Sequence, residues 1–478
     1  MDYEDESYKL PPESSRLVNA ATCTAMALDR EVRVYKRRWI MLALFVLCAA
    51  NITVHWMQFS IIANIVMKYY NVSSSAVNWT SMVYMAAYVL LVVPASWLMD
   101  KKGLRVTLAC AAGLTAAGAW LKALSASPQR FPVALAGQAL LGAAQVFVLG
   151  APAAVAAAWF GPGQVSTATA LGVFGIQVGA AVGFVIPPVA VQNHEDADDI
   201  GSDLLRLYLG LAAGPSILLL LILLVFQAAP PIPPSPAEAS VKSQEKKPAF
   251  SKTLGSLLTN KDFMLLLLSY GANMGAFNAT STLLNQILLT YFEGSEADGG
   301  RIGLIMILSG MLGSVVGGFV LDKTHKFKET SVTVCAMALL GMIGYTLSFR
   351  TGHIVFVYVV VAFLGFFMTS HMTVAFEFAA ELTYPLPAAT SSGLLNMAAE
   401  VSGVALTSIA GRLLAARGDL AADGFLCGLL LAGLGAAALV RGGDLRRQAA
   451  SLAPSPVSEG DCAASHVDTS DEPAAKLA

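Results

Sequence analysis

The chain has 478 residues, 56% of them apolar and only 13% charged, with a formal net charge of −2 and a mean hydropathy of +0.63. Soluble chains carry roughly 25% charged residues, so this composition excludes a soluble globular protein, and the absence of a basic stripe excludes a nucleic-acid partner. Six scattered cysteines (Cys23, Cys48, Cys110, Cys335, Cys427 and Cys462) form no C-x-x-C pair, so no disulfide framework, metal site or cofactor is implied.

Residues 1–36 are acidic and polar, which does not match a cleaved signal peptide, and the first span is expected to serve as the signal. Apolar stretches long enough to cross about 30 Å of hydrocarbon then follow one another. They lie at 39–68, 77–99, 104–125, 131–159, 164–191, 204–228, 258–291, 301–321, 330–350, 353–382, 387–415 and 420–440. The fold class is therefore an all-α polytopic membrane protein of about twelve transmembrane helices. The stretch "QAAPPIPPSPAEASVKSQEKKPAF" between the sixth and seventh spans, rich in Pro, Ser and Lys, reads as a solvated linker. The chain divides into a tail (1–36), a six-helix half (37–228), a linker (229–257), a second six-helix half (258–448) and a tail (449–478).

Basic residues mark one side: Lys36, Arg37 and Arg38, then Lys101, Lys102 and Arg105, the linker lysines, and Lys323, Lys326 and Lys328. The alternate joints at 192–203 and 293–300 are acidic. The positive-inside rule puts both tails and the linker in the cytoplasm and the sequon Asn71-Val72-Ser73 outside, where a glycan can be attached. The plasma membrane is the expected location, with an endomembrane or mitochondrial membrane as alternatives, and a monomer is expected. The two halves also echo each other. "WLMDKKGLR" closes the second span and "FVLDKTHKFK" the eighth, which makes Asp100, Arg105 and Asp322 expected loop anchors. Two such halves resemble the major facilitator superfamily, whose fold places its site at the midplane between them.

Polar residues inside spans are costly and therefore informative. In "NITVHWMQFS", a 100° step groups Thr53, Trp56 and Ser60 on one side and Asn51, His55 and Gln58 on another. Trp56, far from the interface that Trp favours, reads as a cavity wall, whereas His55 and Gln58 read as hydrogen-bonding a neighbouring helix. Gln177 sits among glycines in the fifth span. Asn278, Ser281, Thr282 and Asn285 follow one face of the seventh, and Ser392, Asn396 and Glu400 one stripe of the eleventh. Glu377 and Glu381 share a face of the tenth and suit a gate or a loop anchor, and His371 a packing role. Lys68 and Lys122 lie near span ends, with no Lys or Arg at mid-span, so an anionic substrate lacks its buried base. A Trp face, amides and one carboxylate suit a small organic cation. No nucleophile–base pair or nucleotide loop suggests an enzyme.

The stretches "WTSMVYMAAYVLLVVPASWLMDKKGLR", "AQVFVLGAP", "WFGPGQVSTA", "QVGAAVGFVIPP", "STLLNQILLTYFEG", "GFFMTSHMTVAFEFAAELTYP", "SSGLLN" and "DLRRQ" resemble the feline leukemia virus subgroup C receptor-related transporters over roughly residues 35–448. That resemblance implies transport of choline and ethanolamine, with heme export as the alternative. It also implies a site of a first-span Trp, a fifth-span Gln, a seventh-span Tyr and an eleventh-span Gln. Trp56 and Gln177 match the first two. Asn278 stands where the family has Tyr, and Glu400 where it has the second Gln. Losing the aromatic and gaining a carboxylate shifts the expected preference toward a primary amine such as ethanolamine. Heme would need His55 or His371 as axial ligand and bases for its propionates.

Overall fold

The computed structural model describes residues 33–161, 163–232, 234, 250–383, 386 and 388–441. The two tails and most of the linker lie outside the described residues, as does "DLRRQ".

Among the described residues, nine helices are long and apolar enough to span a bilayer. The count rises to twelve for local reasons. Ser74–Ala123 holds the second and third spans, divided where Gly103 takes φ 79° and ψ 174°, a left-handed break that glycine accepts without strain. The seventh span, Lys261–Tyr291, is long enough but carries Ser269, Asn273, Asn278, Ser281 and Asn285 along its length. The first span is broken, with Arg38–Val54 and Ala63–Tyr70 separated by a non-helical stretch and a single 3-10 turn. The fourth is also interrupted, between Phe131–Leu149 and Pro152–Trp159. The remaining spans are Val165–Ala190, Ala197–Val225, Glu296–Thr324, Phe327–Ser348, Ile354–Leu382, Ala388–Arg417 and Asp419–Leu439. Large side chains such as Leu90, Leu224 and Val315 stand more than 70% exposed, as a lipid-facing surface requires.

The packing repeats itself with an offset of six spans. The first span packs on the fifth and the seventh on the eleventh, while the third packs on the sixth and the ninth on the twelfth. The second and third pack on the fourth, and the eighth and ninth on the tenth. The halves meet through the fifth against the eighth and the second against the eleventh, which are again equivalent pairs. Helix ends sort into two faces. Arg37 and Arg105 reach the carbonyls of Val225 and Leu223, Asn260 that of Leu382, and Asp262 the amide of Arg441. These joints, together with both described chain ends, define the terminal face. Lys68 with His194, Asn64 with Glu296, and Asp419 with Tyr291 and Arg350 define the opposite face.

Small residues make the close helix contacts possible. A Cβ on Gly313 of the eighth span would overlap the Phe366 carbonyl of the tenth, whereas one on Gly113 would meet nothing. Gly313→Val is therefore expected to cost about 1–3 kcal/mol through overpacking and Gly113→Ala close to nothing. Melting temperatures of the purified proteins check the contrast.

Candidate functional site

The first span breaks at His55–Phe59 without a glycine or proline. Its last turn tightens, with the His55 and Trp56 amides bonded to the Ile52 and Thr53 carbonyls. Side chains at the break account for it. Lys122, near the end of the third span and only 1% exposed, lies 3.1 Å from His55 Nδ1 and donates to Gln138 Oε1 of the fourth span at 3.0 Å and to Gln58 Oε1. Gln138 Nε2 returns to the His55 and Thr80 carbonyls, satisfying one carbonyl that the broken helix leaves free. The Phe59 and Tyr208 rings lie 5.1 and 6.0 Å from the ammonium. Three acceptors match the three N–H donors of an ammonium, and no carboxylate among the described residues pairs with it. The expectation that His55 and Gln58 bond neighbouring helices holds. Lys122 does lie at a span end, as expected, but it is buried in the interior of the first half. The 100° grouping over residues 51–60 does not apply either, because that stretch is not one helix.

The same break carries Trp56. Half-buried, it packs against the core cluster shared by both halves, to which Phe184, Phe277 and Leu283 belong. In the fifth span, Gly175, Gly179 and Gly183 lie against the first-span backbone at Val46, Ala50 and Val54. Gln177 lies on the other side. It is seven residues, about two turns, before Phe184, which meets Gly300 and Gly303 of the eighth span. It therefore shares the side of the fifth span on which Phe184 meets the partner half.

In the second half, Asn278 is buried with its amide against Gly403 of the eleventh span, beside Met85 of the second. Three residues earlier on that stripe is Glu400, half-buried and within electrostatic reach of the Tyr88 and Tyr270 hydroxyls. Asn396 lies one turn earlier on the same stripe, near Tyr88 across the halves. Asn278, Asn396 and Glu400 thus gather at one junction of the second, seventh and eleventh spans. Ser281 does not join them through its hydroxyl, which bonds the Phe277 carbonyl of its own helix at 2.8 Å, while its neighbour Thr282 meets Ser81 across the halves at 3.1 Å. Sequence reasoning passed over Tyr88 and Tyr270, and also Gln145, whose Oε1 is buried without a partner in the fourth span. A glutamine alone in the apolar run "AQVFVLG" was its signal.

The expected anchors separate. Glu377 is exposed and Glu381 buried, so they do not share one environment. Arg105 holds the Leu223 carbonyl at 2.8 Å. Asp100 and Asp322 are exposed at equivalent span ends, the first before the Gly103 break and the second before His325, which has φ 53°. Asn71 is exposed in a left-handed turn on the opposite face, just before Ser73 caps the second span. His371 is fully buried beside Ser331 and the Tyr270 ring.

Residues 41–408 match the Major Facilitator Superfamily profile. The chain is 42% identical over 450 residues to the zebrafish (Danio rerio) choline/ethanolamine transporter flvcr2a, covering 94% of each chain. It is 40% identical over 420 residues to human choline/ethanolamine transporter FLVCR2, covering 88% of this chain and 80% of the relative. The chain belongs to the FLVCR family of the major facilitator superfamily. Feline (Felis catus) FLVCR1, another choline/ethanolamine transporter, is 42% identical over 413 residues, covering 86% of this chain and 74% of the relative. Among solved structures, an inward-facing, unoccupied bacterial homologue of the lysosomal transporter Spinster superposes with a TM-score of 0.65 at 13% identity, covering 85% of this chain and 95% of its own. The Escherichia coli fucose:proton symporter gives 0.60 at 14% identity, covering 85% and 100%. These two carry the fold alone. This FLVCR-family chain is thus a membrane transporter with the twelve-span, two-half architecture expected from its hydropathy.

Proposed function

We propose that the protein carries choline or ethanolamine across the plasma membrane by alternating access, residues 39–228 rocking against 258–440 around the junction of Trp56, Gln177, Asn278, Asn396 and Glu400. The observation that carries this reading is Glu400, a half-buried carboxylate one turn before the Gly403 contact with Met85 and Asn278 between the halves, and without an ion pair among the described residues. An intramembrane carboxylate without a protein cation is expensive, and a positively charged substrate lowers that cost when it binds. Relatives named for choline and ethanolamine transport support the same class of substrate. Lys122 does not compete for Glu400, because its donors are all used within the first half. Heme is the weaker reading. His55 Nε2 and His371 Nδ1 have no partner, but the two residues are 1% and 0% exposed, so burial rather than hydrogen bonding keeps both rings from an iron between the halves.

The basic loops on the terminal face support cytoplasmic termini, and the exposed Asn71 on the opposite face supports a glycan outside. Asp100, Arg105, Asp322, Glu377 and Glu381 serve in this reading as anchors for the cytoplasmic loops. Uptake of radiolabelled choline and ethanolamine into expressing cells tests the proposal, with surface biotinylation as the control. Saturable uptake of at least one amine is expected, with loss of at least ten-fold in Trp56→Ala as an aromatic wall goes. Surface-localised protein that takes up neither would overturn it.

A further inference from the structure

On the face opposite the termini, a cleft of about 410 Å³ opens between the halves. Asn64 of the first span lines it, with Asn285, Gln286 and Thr290 of the seventh and Asp419 at the start of the twelfth. Its floor is the hydrogen bond from Gln286 Nε2 to Asn78 Oδ1 at 2.6 Å, which joins the halves, and Ser81 with Thr282 lies one turn further in. Asn285 is 1% exposed, yet neither its Oδ1 nor its Nδ2 has a partner. Asn64 gives its Nδ2 to Glu296 at 2.9 Å, and its Oδ1 too is buried and unpaired. Buried amides are ordinarily paired, and three unpaired amide atoms buried just beneath the wall of one cleft leave polar groups for a guest to pair as it enters.

The charges define that guest. Asp419 receives the Tyr291 hydroxyl at 2.7 Å and the Arg350 guanidinium at 3.4 Å, both on Oδ2. Glu296 stands behind Asn64, where it also accepts Asn193 at 3.2 Å. Arg350, 45% exposed at its side chain, pairs with Asp419, while Glu296 accepts the Asn64 and Asn193 amides. Amide oxygens beside carboxylates receive an N–H-bearing cation, and the residues named on the wall include no aromatic ring that would cage a quaternary one. We infer that this cleft is a second binding site, distinct from the junction at Glu400, for a primary alkylammonium that also carries a hydroxyl. It holds the substrate above the Asn78–Gln286 bond until the halves part. The inference rests on the organic-cation reading above.

The test uses the full-length protein in lipid nanodiscs, titrated with ethanolamine by calorimetry, and the same variants assayed for uptake in cells. Wild type is expected to bind at two sites, one of them weaker. Trp56→Ala with Glu400→Gln should keep the weaker site, and Asn285→Leu should lose it. The isosteric Asn285→Leu removes only unpaired amide atoms, so its melting temperature should hold or rise while the KM for ethanolamine uptake increases about five-fold or more. Asp419→Asn should raise KM in the same direction. A single binding site in wild type, or an unchanged KM in Asn285→Leu alongside normal saturable uptake, would overturn the second site while leaving the transport reading intact. Absence of both saturable uptake and binding in wild type would overturn the two together.

Discussion

Lys122→Met is expected to abolish uptake and to lower stability by about 2–4 kcal/mol, as buried acceptors losing a donor cost about 1–3 kcal/mol each. Methionine fills the space of the lysine stem but leaves His55 Nδ1, Gln58 Oε1 and Gln138 Oε1 without their shared donor. Gln58 and His55, already 3.2 Å apart, can re-pair if the amide turns over, which limits the loss. Removing a buried charge returns part of its desolvation cost, which limits it further. Transport has no such recourse. The break at His55–Phe59 exists because these side chains hold the chain out of helical register, and Trp56 is presented from that break. The combination Lys122→Met, His55→Leu, Gln58→Met replaces the polar cluster except Gln138 by apolar groups and should recover part of the stability while uptake stays absent. Melting temperature and uptake measured on the same preparations separate the two effects. Wild-type uptake in Lys122→Met would show that the cluster does not position Trp56.

The twelve spans were legible because hydrocarbon thickness translates into run length and because the joints carry charge. Even the two halves were visible, since Asp100-Lys101 and Asp322-Lys323 end equivalent helices. The break in the first span was not. Residues 55–59 contain no glycine or proline, and what interrupts the helix is a lysine 64–67 residues away in sequence. Periodicity sees neighbours on one helix and is blind to a partner of that kind. For the same reason the span-end position of Lys122 gave no sign of its burial, which comes from the first, fourth and sixth spans closing around it.

The candidate site was legible where a residue type is anomalous for its depth, as with Trp56, Asn278 and Glu400. It was obscured where polar atoms are common. Tyr88 and Tyr270 read as ordinary membrane tyrosines until the eleventh span brings Glu400 near both. Ser281 looked equivalent to Thr282, yet one hydroxyl turns to its own backbone and the other crosses to Ser81. Intrahelical bonding of this kind is an ever-present alternative for serine, and sequence spacing does not separate the two outcomes.

Glu400→Gln is expected to raise the KM for ethanolamine about ten- to hundred-fold and that for choline several-fold less. A hydrogen bond to a charged group contributes about 1.5–3 kcal/mol, and each 1.4 kcal/mol is tenfold in affinity. Ethanolamine presents N–H donors that a carboxylate accepts directly. Choline presents methyl groups, so it feels the charge of Glu400 only across that shell. Asn278→Tyr should act in the opposite sense by supplying a ring face, worth about 0.5–2 kcal/mol to a quaternary ammonium. Asn278 packs against Gly403 beside Met85, and the space for a ring must come from that contact, so the gain belongs at the lower end. Carrying both substitutions, the protein should prefer choline over ethanolamine, the reverse of the order expected for wild type. Competition of the two amines for uptake reads this directly. If the wild type already prefers choline clearly, the carboxylate does not select by hydrogen bonding, and Glu400 acts on both cations through charge alone.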